Sequence, residues 1–522
     1  MRVAVSTIGR ALRRRAVLPL ILATAASALA PADSLALRSW SAGPAPFEGR
    51  EFHAASLISG TRLLVAGGLR GSGPSATSEI FDSSTRQWEP AASLLTSRVA
   101  PAGATLYGGK VLVAGGGTLA TTSPADYLAT AELYDPVLNE WHPAGKMAIP
   151  RANHTATLLR DGRVLVTGGL NSVGRGIAAA EIYDARTNSW STAGVMREAR
   201  YHHTATILPT GKVLVTGGHQ LTGDGSTVAL SSAEIYDPVT KVWVKAPRMR
   251  VPRDNHTATS LGDGRVLVAG GGTRTAGFEA GAEIYHPFTN RWSGAGRLKE
   301  PRGFHAATRL PGGDVLAVGG FNDCGALPSA EIFSPSSGRW RATRSLRTPR
   351  GQLSATAFRD GQVIATGGAT IAGSILSSSE LFMPGGADRT GPQLCGLRVS
   401  PLRLRAAASG PSIARRGLPV VYTLSDRGVV SFTVLKVVPG RLRGRRCVRA
   451  RGRVPRRRGC RKSVRVPGSF SHRSRRGRNS FGFTGRVGGR TLSPGAYQLL
   501  AKPRDRRRNA GAVVDGAFRI VR

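Results

Sequence analysis

The sequence predicts an all-β chain in which seven four-stranded sheets close into a ring, followed by a smaller β-sandwich. Three observations predict it. A diglycine recurs seven times, at Gly67-Gly68, Gly115-Gly116, Gly168-Gly169, Gly217-Gly218, Gly270-Gly271, Gly319-Gly320 and Gly367-Gly368. Each stands 17 residues after an Arg, namely Arg50, Arg98, Arg151, Arg200, Arg253, Arg302 and Arg350. All seven Trp keep step with the same repeat, but Trp40 lies ahead of the first copy and none lies at the end of the last. Several residue types at constant spacing over seven copies mark a repeat architecture.

Residues 1–36 read as a signal peptide. Arg10, Arg13, Arg14 and Arg15 form a basic region, the apolar stretch from Ala16 to Ala30 follows, and small residues suited to a signal peptidase come next. At 15 residues the apolar stretch is too short to span a bilayer comfortably. The expected location is therefore secreted or associated with the cell envelope, with the general and the twin-arginine export routes both open. Export places the four Cys in an oxidising compartment. Cys447 and Cys460 are expected to form a disulfide; pairing of Cys324 with Cys395 stays open.

Residues 37–388 form the repeat region. In each copy a segment such as His-Thr-Ala-Thr precedes an apolar run such as Val213-Leu214-Val215-Thr216, apolar enough to be a buried strand. A Glu-apolar-aromatic triplet follows, beginning at Glu79, Glu132, Glu181, Glu234, Glu283, Glu331 and Glu380. Trp88, Trp141, Trp190, Trp243, Trp292 and Trp340 stand nine residues after the first six Glu, whereas Arg389 occupies the seventh position. Trp40 lies ten residues before Arg50, as every other Trp lies ten before the next Arg. The N-terminal segment should thus supply the last strand of the seventh sheet. That is the closure a seven-bladed β-propeller needs, since it leaves no complete blade edge to fray.

Only one interval in the repeat changes length. From the first Gly to the next Glu it runs 12, 17, 13, 17, 13, 12 and 13 residues, so every insertion falls between the second and third strands. Those loops share one face, and variation confined to one face is the signature of a binding surface. The two longest loops offer Thr121, Thr122, Asp126, Tyr127, His219, Gln220 and Asp224 as candidate ligand contacts.

His53, His154, His203, His256 and His305 each lie three residues after the repeat Arg. A residue present once per blade reads as framework rather than as a metal ring, and the equal numbers of Arg and Glu suggest one neutralising pair per blade. His202 and His219 fall outside the pattern and are stronger functional candidates. No nucleophile elbow, His-Glu-x-x-His motif or phosphate loop is present, so no catalytic residue, metal or cofactor is expected.

The Arg, His, diglycine, Glu-Ile-Tyr-Asp and Trp pattern resembles the kelch repeat, and seven copies resemble a seven-bladed kelch propeller of the galactose oxidase type. The resemblance implies, as one activity, copper radical oxidation. That family holds copper with two Tyr and two His, one Tyr being cross-linked to a Cys and one His coming from a C-terminal β-domain. Here the propeller's only Cys, Cys324, lies late rather than early, and the C-terminal domain's only His is His472 in an Arg/Ser-rich stretch. The reading is therefore an exported binding protein for a carbohydrate or protein ligand rather than an enzyme. A galactose oxidase-like copper radical oxidase is the alternative.

Residues 389–522 are expected to form an immunoglobulin/fibronectin-like β-sandwich, with strand-like runs at Val420 to Leu424, Val429 to Val438, Tyr497 to Ala501 and Val513 to Val521. This region holds most of the chain's charge. Residues 391–522 carry 33 Lys+Arg against 3 Asp+Glu, a net +30 of the total +42. Nucleic acid is not the expected partner, because the chain is read as exported and aromatic residues for base stacking are few there. Arg445, Arg446, Arg456, Arg457, Arg458 and Arg461 are instead candidates for contact with an anionic cell-wall polymer or lipid surface, a merely solvated basic loop being the alternative. Electrostatic attachment predicts that the C-terminal domain alone sediments with cell-wall fragments at low salt and is released at high salt. Sedimentation that is absent or indifferent to salt would contradict it.

Overall fold

A computed structural model describes residues 39–118, 127–222, 226–273, 277–383, 394–399, 403–407, 411–414, 418–424, 428–443, 446–449, 459–475, 477–505 and 513–521. The expected signal peptide lies outside these residues. No helix among them is long and apolar enough to cross a membrane.

Each repeat forms one four-stranded antiparallel blade. In blade 1 the strands are Ala54–Leu57, Arg62–Ala66, Ser78–Asp82 and Gln87–Ala91, hydrogen-bonded in that order. The first strands of successive blades touch from blade 1 round to blade 7 and back to blade 1, so they line a closed ring around a central channel. Blade 7 takes its fourth strand from the N-terminus. Ser39–Ala42 runs antiparallel to Ser379–Met383, with Trp40 opposite Phe382 and their rings 5.2 Å apart.

The core lies between the faces of neighbouring blades. Val213 and Val215 pack toward blade 3 with Leu165, Ile182 and Met196, while Leu214 packs toward blade 5 with Val266, Val268 and Tyr285. Alternate side chains of one strand thus enter two different cores, which is why the second strand of every blade carries at least three consecutive apolar residues.

One polar node recurs seven times. In blade 4, Arg200 donates from Nη1 to the Gly217 carbonyl at 2.7 Å and from Nη2 to Glu234 at 2.9 Å. Glu234 also accepts the backbone N–H groups of Arg197 and Glu198. The pairs Arg50–Glu79, Arg98–Glu132, Arg151–Glu181, Arg253–Glu283, Arg302–Glu331 and Arg350–Glu380 repeat it, with Nη2 to Oε1 between 2.5 and 3.2 Å. Neighbouring blades are joined by the second Gly of each pair, whose N–H bonds the next blade's Arg carbonyl; the series ends with Gly368 bonding Arg50 at 2.9 Å, which completes the circle. A side chain on that glycine would collide with backbone: a Cβ at Gly218, where φ is +97°, would sit 2.7 Å from the Tyr201 carbonyl oxygen.

The C-terminal strands form two larger sheets and a two-stranded ribbon of Arg486–Val487 and Arg490–Thr491. One contains Leu394–Val399, Leu418–Leu424, Gly477–Phe483 and Ile413–Ala414. The other is built on the long strand Gly428–Arg443, which pairs Gly495–Asp505 and, further along the same edge, Arg446–Arg449; Gly459–Arg465 and Phe470–Ser474 pair its other edge, and Val514–Val521 and Arg403–Arg405 extend the sheet beyond Gly495–Asp505. Val420, Tyr422, Phe432, Phe481, Phe483, Leu499 and Phe518 fill the space between the two sheets, the arrangement of a β-sandwich. Cys447 and Cys460 are disulfide-bonded across the basic hairpin. Cys324 is disulfide-bonded as well.

Removing one partner of a buried ion pair leaves an uncompensated charge, at a cost of about 3–5 kcal/mol. Arg200→Met is therefore expected to lower unfolding free energy by about that amount, and adding Glu234→Gln should restore part of it. Denaturant unfolding of the two variants checks both; equal stability of Arg200→Met and wild type would remove the node from its structural role.

Candidate functional site

The channel histidines are structural. His203 Nε2 lies 3.1 Å from the Thr155 hydroxyl and 3.0 Å from the Thr167 hydroxyl of the preceding blade, and His256 makes the same pair of contacts with Thr204 and Thr216. His305 bonds Thr257 at 3.0 Å, and His53 bonds Ser354 of blade 7 at 2.9 Å. Each imidazole therefore links two blades. Blade 2 breaks the series, having Ala102 and Ala114 where blade 3 has Thr155 and Thr167, and His154 next to it is buried with neither ring nitrogen in a well-formed hydrogen bond. Burial first, and the nearby Arg second, hold His53, His154 and His256 down at about 3, so these rings are neutral.

What varies is the pair of residues between the fixed Arg and His positions. The first of the pair bridges the residue after the diglycine in every blade: Glu51 with Leu69, Val99 with Gly117, Ala152 with Leu170, Tyr201 with His219, Asp254 with Gly272, Gly303 with Phe321, and Gly351 with Ala369. The second of the pair is Phe52, Ala100, Asn153, His202, Asn255, Phe304 or Gln352, all with φ between +46 and +57°. Six backbone hydrogen bonds run from each of these residues to the one before it, from Ala100 to Phe52 through to Gln352 and Phe304. A belt of seven left-handed residues therefore encircles the channel mouth.

A cavity of about 280 Å³ opens at this belt. Phe52, Asn153, His202, Asn255, Phe304 and Gln352 of the belt all line it, with no Lys or Arg among its lining residues. Beside it, blades 4 and 5 bring a polar cluster together. His219 Nε2 lies 2.9 Å from Asp254 Oδ2, and Asn255 donates to Asp254 Oδ1. The Tyr201 ring lies 5.3 Å from that of His219 and 5.1 Å from that of His202. His202 is held at about 4, chiefly by burial, and its Nδ1 is buried without a hydrogen-bond partner. Burial likewise raises the Tyr201 phenol, with Asp254 and then Tyr127 adding to the effect.

The structure thus brings His219 of the candidate ligand contacts near His202, their rings 6.2 Å apart, whereas Tyr127 bridges Gly117 of blade 2. Gln220 is half-buried in the small ribbon made by His219–Leu221 and Thr227–Ala229. Thr121, Thr122, Asp126 and Asp224 lie outside the described residues, as do Arg445, Arg456, Arg457 and Arg458; Arg461 is exposed on Gly459–Arg465. Arg446 lies on Arg446–Arg449. Sequence reasoning missed Tyr201, Asp254, Asn255 and Phe304. Their signal was present: they occupy the only two positions that change freely between a fixed Arg and a mostly fixed His.

Comparison with known proteins agrees with this architecture. A model of the KLHDC2/KLHL20/DRC7 Kelch-repeats domain matches residues 101–294 and 153–368, and a Kelch motif model matches residues 52–95. These matches span more than half the chain, which belongs to the kelch-repeat family. Among solved structures it is similar to a fungal alcohol oxidase of the AA5 family in complex with copper, at 17% identity and a TM-score of 0.53, over 94% of this chain and 100% of that one. No curated protein matches the sequence.

The residues present do not fit the cross-linked copper cofactor of the galactose oxidase type. Cys324, the propeller's one thiol-bearing position, is disulfide-bonded. His472 of the second domain has Nδ1 2.6 Å from the Tyr422 hydroxyl and packs on Phe481 inside the sandwich. Among the described residues no group of three or more His, Cys, Asp or Glu is placed to hold a metal.

The neutral channel histidines give stability a pH dependence. Below the ordinary value of 6.5 the unfolded chain takes up protons that these buried rings, at about 3, do not. Their contribution is complete above pH ~6.5 and shrinks as the pH falls from there toward about 3. The thermal midpoint should therefore drop between pH 7 and pH 5; a flat profile across that range would contradict the neutral-ring assignment.

Proposed function

We propose that the propeller binds a carbohydrate at the channel mouth, and that the basic second domain holds the protein at an anionic envelope surface. The observation that carries the first part is the chemistry of the cavity lining. In a chain of net charge +42, the lining contains no cationic side chain but three amides, Asn153, Asn255 and Gln352, beside Phe52 and Phe304. An amide offers donor and acceptor together, which suits adjacent sugar hydroxyls, and an aromatic ring suits the apolar face of a pyranose. The volume of about 280 Å³ lies just below the usual range of roughly 300–1,000 Å³, which favours one terminal sugar residue.

A second reading, oxidation of an alcohol group on such a ligand, draws on the end-to-end likeness to a copper-bound alcohol oxidase. It also draws on the meeting of Tyr201, His202 and His219 near the mouth. Glycan and wall-polymer arrays probed with the full protein, followed by calorimetry, test the binding reading. Asn255→Ala and Phe304→Ala should each weaken the best array hit about tenfold or more. Unchanged affinity would move the site elsewhere. Stoichiometric copper with peroxide release on sugars or alcohols would replace the binding reading with the second one.

A further inference from the structure

The His219–Asp254 pair goes beyond what a binding site requires. A carboxylate only accepts hydrogen bonds, so the Nε2 of His219 that faces it carries a hydrogen, and in the neutral ring Nδ1 then carries the lone pair. The Asp254 side chain is 6% exposed and that of His219 is 23% exposed, so a buried acceptor stands against a partly exposed imidazole, next to the His202 that lines the cavity. Blade 5 makes room for this arrangement with Gly272, since a Cβ there would lie 3.1 Å from Asp254 Oδ1. Asn255 holds the same oxygen from the other side. A carboxylate that orients an imidazole also stabilises the imidazolium formed when the ring accepts a proton.

We propose that His219, oriented by Asp254, is a general acid–base group acting on the anomeric centre of a reducing sugar held at the channel mouth. The inference rests on the carbohydrate reading above. The reaction it fits is opening of the cyclic hemiacetal. Nδ1 takes the proton from the anomeric hydroxyl, that oxygen's electron pair forms the carbonyl, and the bond from the anomeric carbon to the ring oxygen breaks with its electrons going to the ring oxygen. The same Nδ1–H then delivers its proton to the ring oxygen. Rotation about the bond from the anomeric carbon to its neighbour and reversal of the steps close the ring with the other anomeric configuration. The proton is returned, and no oxidant, reductant or second substrate is consumed. His219 is the catalytic residue and Asp254 the positioning residue.

The test is polarimetry of freshly dissolved single anomers of glucose, galactose, mannose and N-acetylglucosamine with the full protein, alongside calorimetry of the same sugars. Wild type should speed equilibration of a sugar that it binds. His219→Gln should reduce the catalysed rate by ~100-fold or more, within the usual range for general acid–base catalysis. Asp254→Asn should lower kcat while KM and calorimetric affinity stay within about twofold, because the imidazole is misoriented but the cavity is intact. Circular dichroism confirms that each variant is folded, and Asp254→Glu, which keeps a carboxylate, should recover part of the rate. A sugar that binds without faster equilibration overturns this inference and leaves the binding reading standing. Binding of no sugar overturns both, and acceleration that survives in folded His219→Gln removes His219 from the role.

Discussion

A buried guanidinium that meets a buried carboxylate once in each blade is the interaction on which the rest of the propeller depends. The Arg side chains of blades 2 to 7 are fully enclosed, and desolvation pulls Arg98, Arg151, Arg200, Arg253 and Arg350 below the usual arginine value. Such a charge is tolerable only when it is fully engaged. Here Nη1 reaches the first glycine's carbonyl, Nη2 reaches the Glu, and the Glu accepts two N–H groups of the segment entering the blade. Three stretches of chain distant in sequence are thereby tied at one point. The Arg carbonyl then accepts the N–H of the preceding blade's second glycine, so the node that orders one blade also fixes its neighbour.

This division of labour decides where function can reside. The Arg, Glu, diglycine, Trp and channel His positions are all committed: the Trp indole N–H of blade 4, for example, bonds the Ala193 carbonyl of blade 3, and the His rings bond hydroxyls across blades. Ligand chemistry is left to positions that the scaffold does not use. The two residues between Arg and His are held by the belt of backbone hydrogen bonds whatever their side chains, so the mouth can change its chemistry without disturbing the ring. Blades 4 and 5 have used that freedom to place Tyr201, His202, Asp254 and Asn255 side by side.

Much of the fold was legible because a propeller is a repeated solution to one packing problem. Trp40 lay outside the seven copies at the right distance, and it stands opposite Phe382 in blade 7 as that distance implied. The strands of the second domain were harder to read. Gly459–Arg465, Phe470–Ser474 and Gly477–Phe483 mix Gly, Ser and basic residues with few apolar ones, so no apolar run marks them, and only the sheet reveals Phe481 and Phe483 as part of its core. The site was legible in part. Loop length pointed to His219, but nothing in loop length pointed to Asp254, which lies in the next repeat.

The sequence by itself determined the number of blades, their closure and the face on which insertions gather, because each follows from spacing along the chain. It also determined that one Arg and one Glu recur in every copy of the repeat. Only the tertiary structure decided that each Arg and its Glu form one node, that four of the five channel histidines are spent on hydroxyls of the neighbouring blade, and that His219 meets Asp254. The physical reason is that these contacts cross between strands or between blades. Spacing within a repeat fixes which residue stands at the start of a strand, whereas the curvature of the closed ring fixes which residue of the next blade it faces.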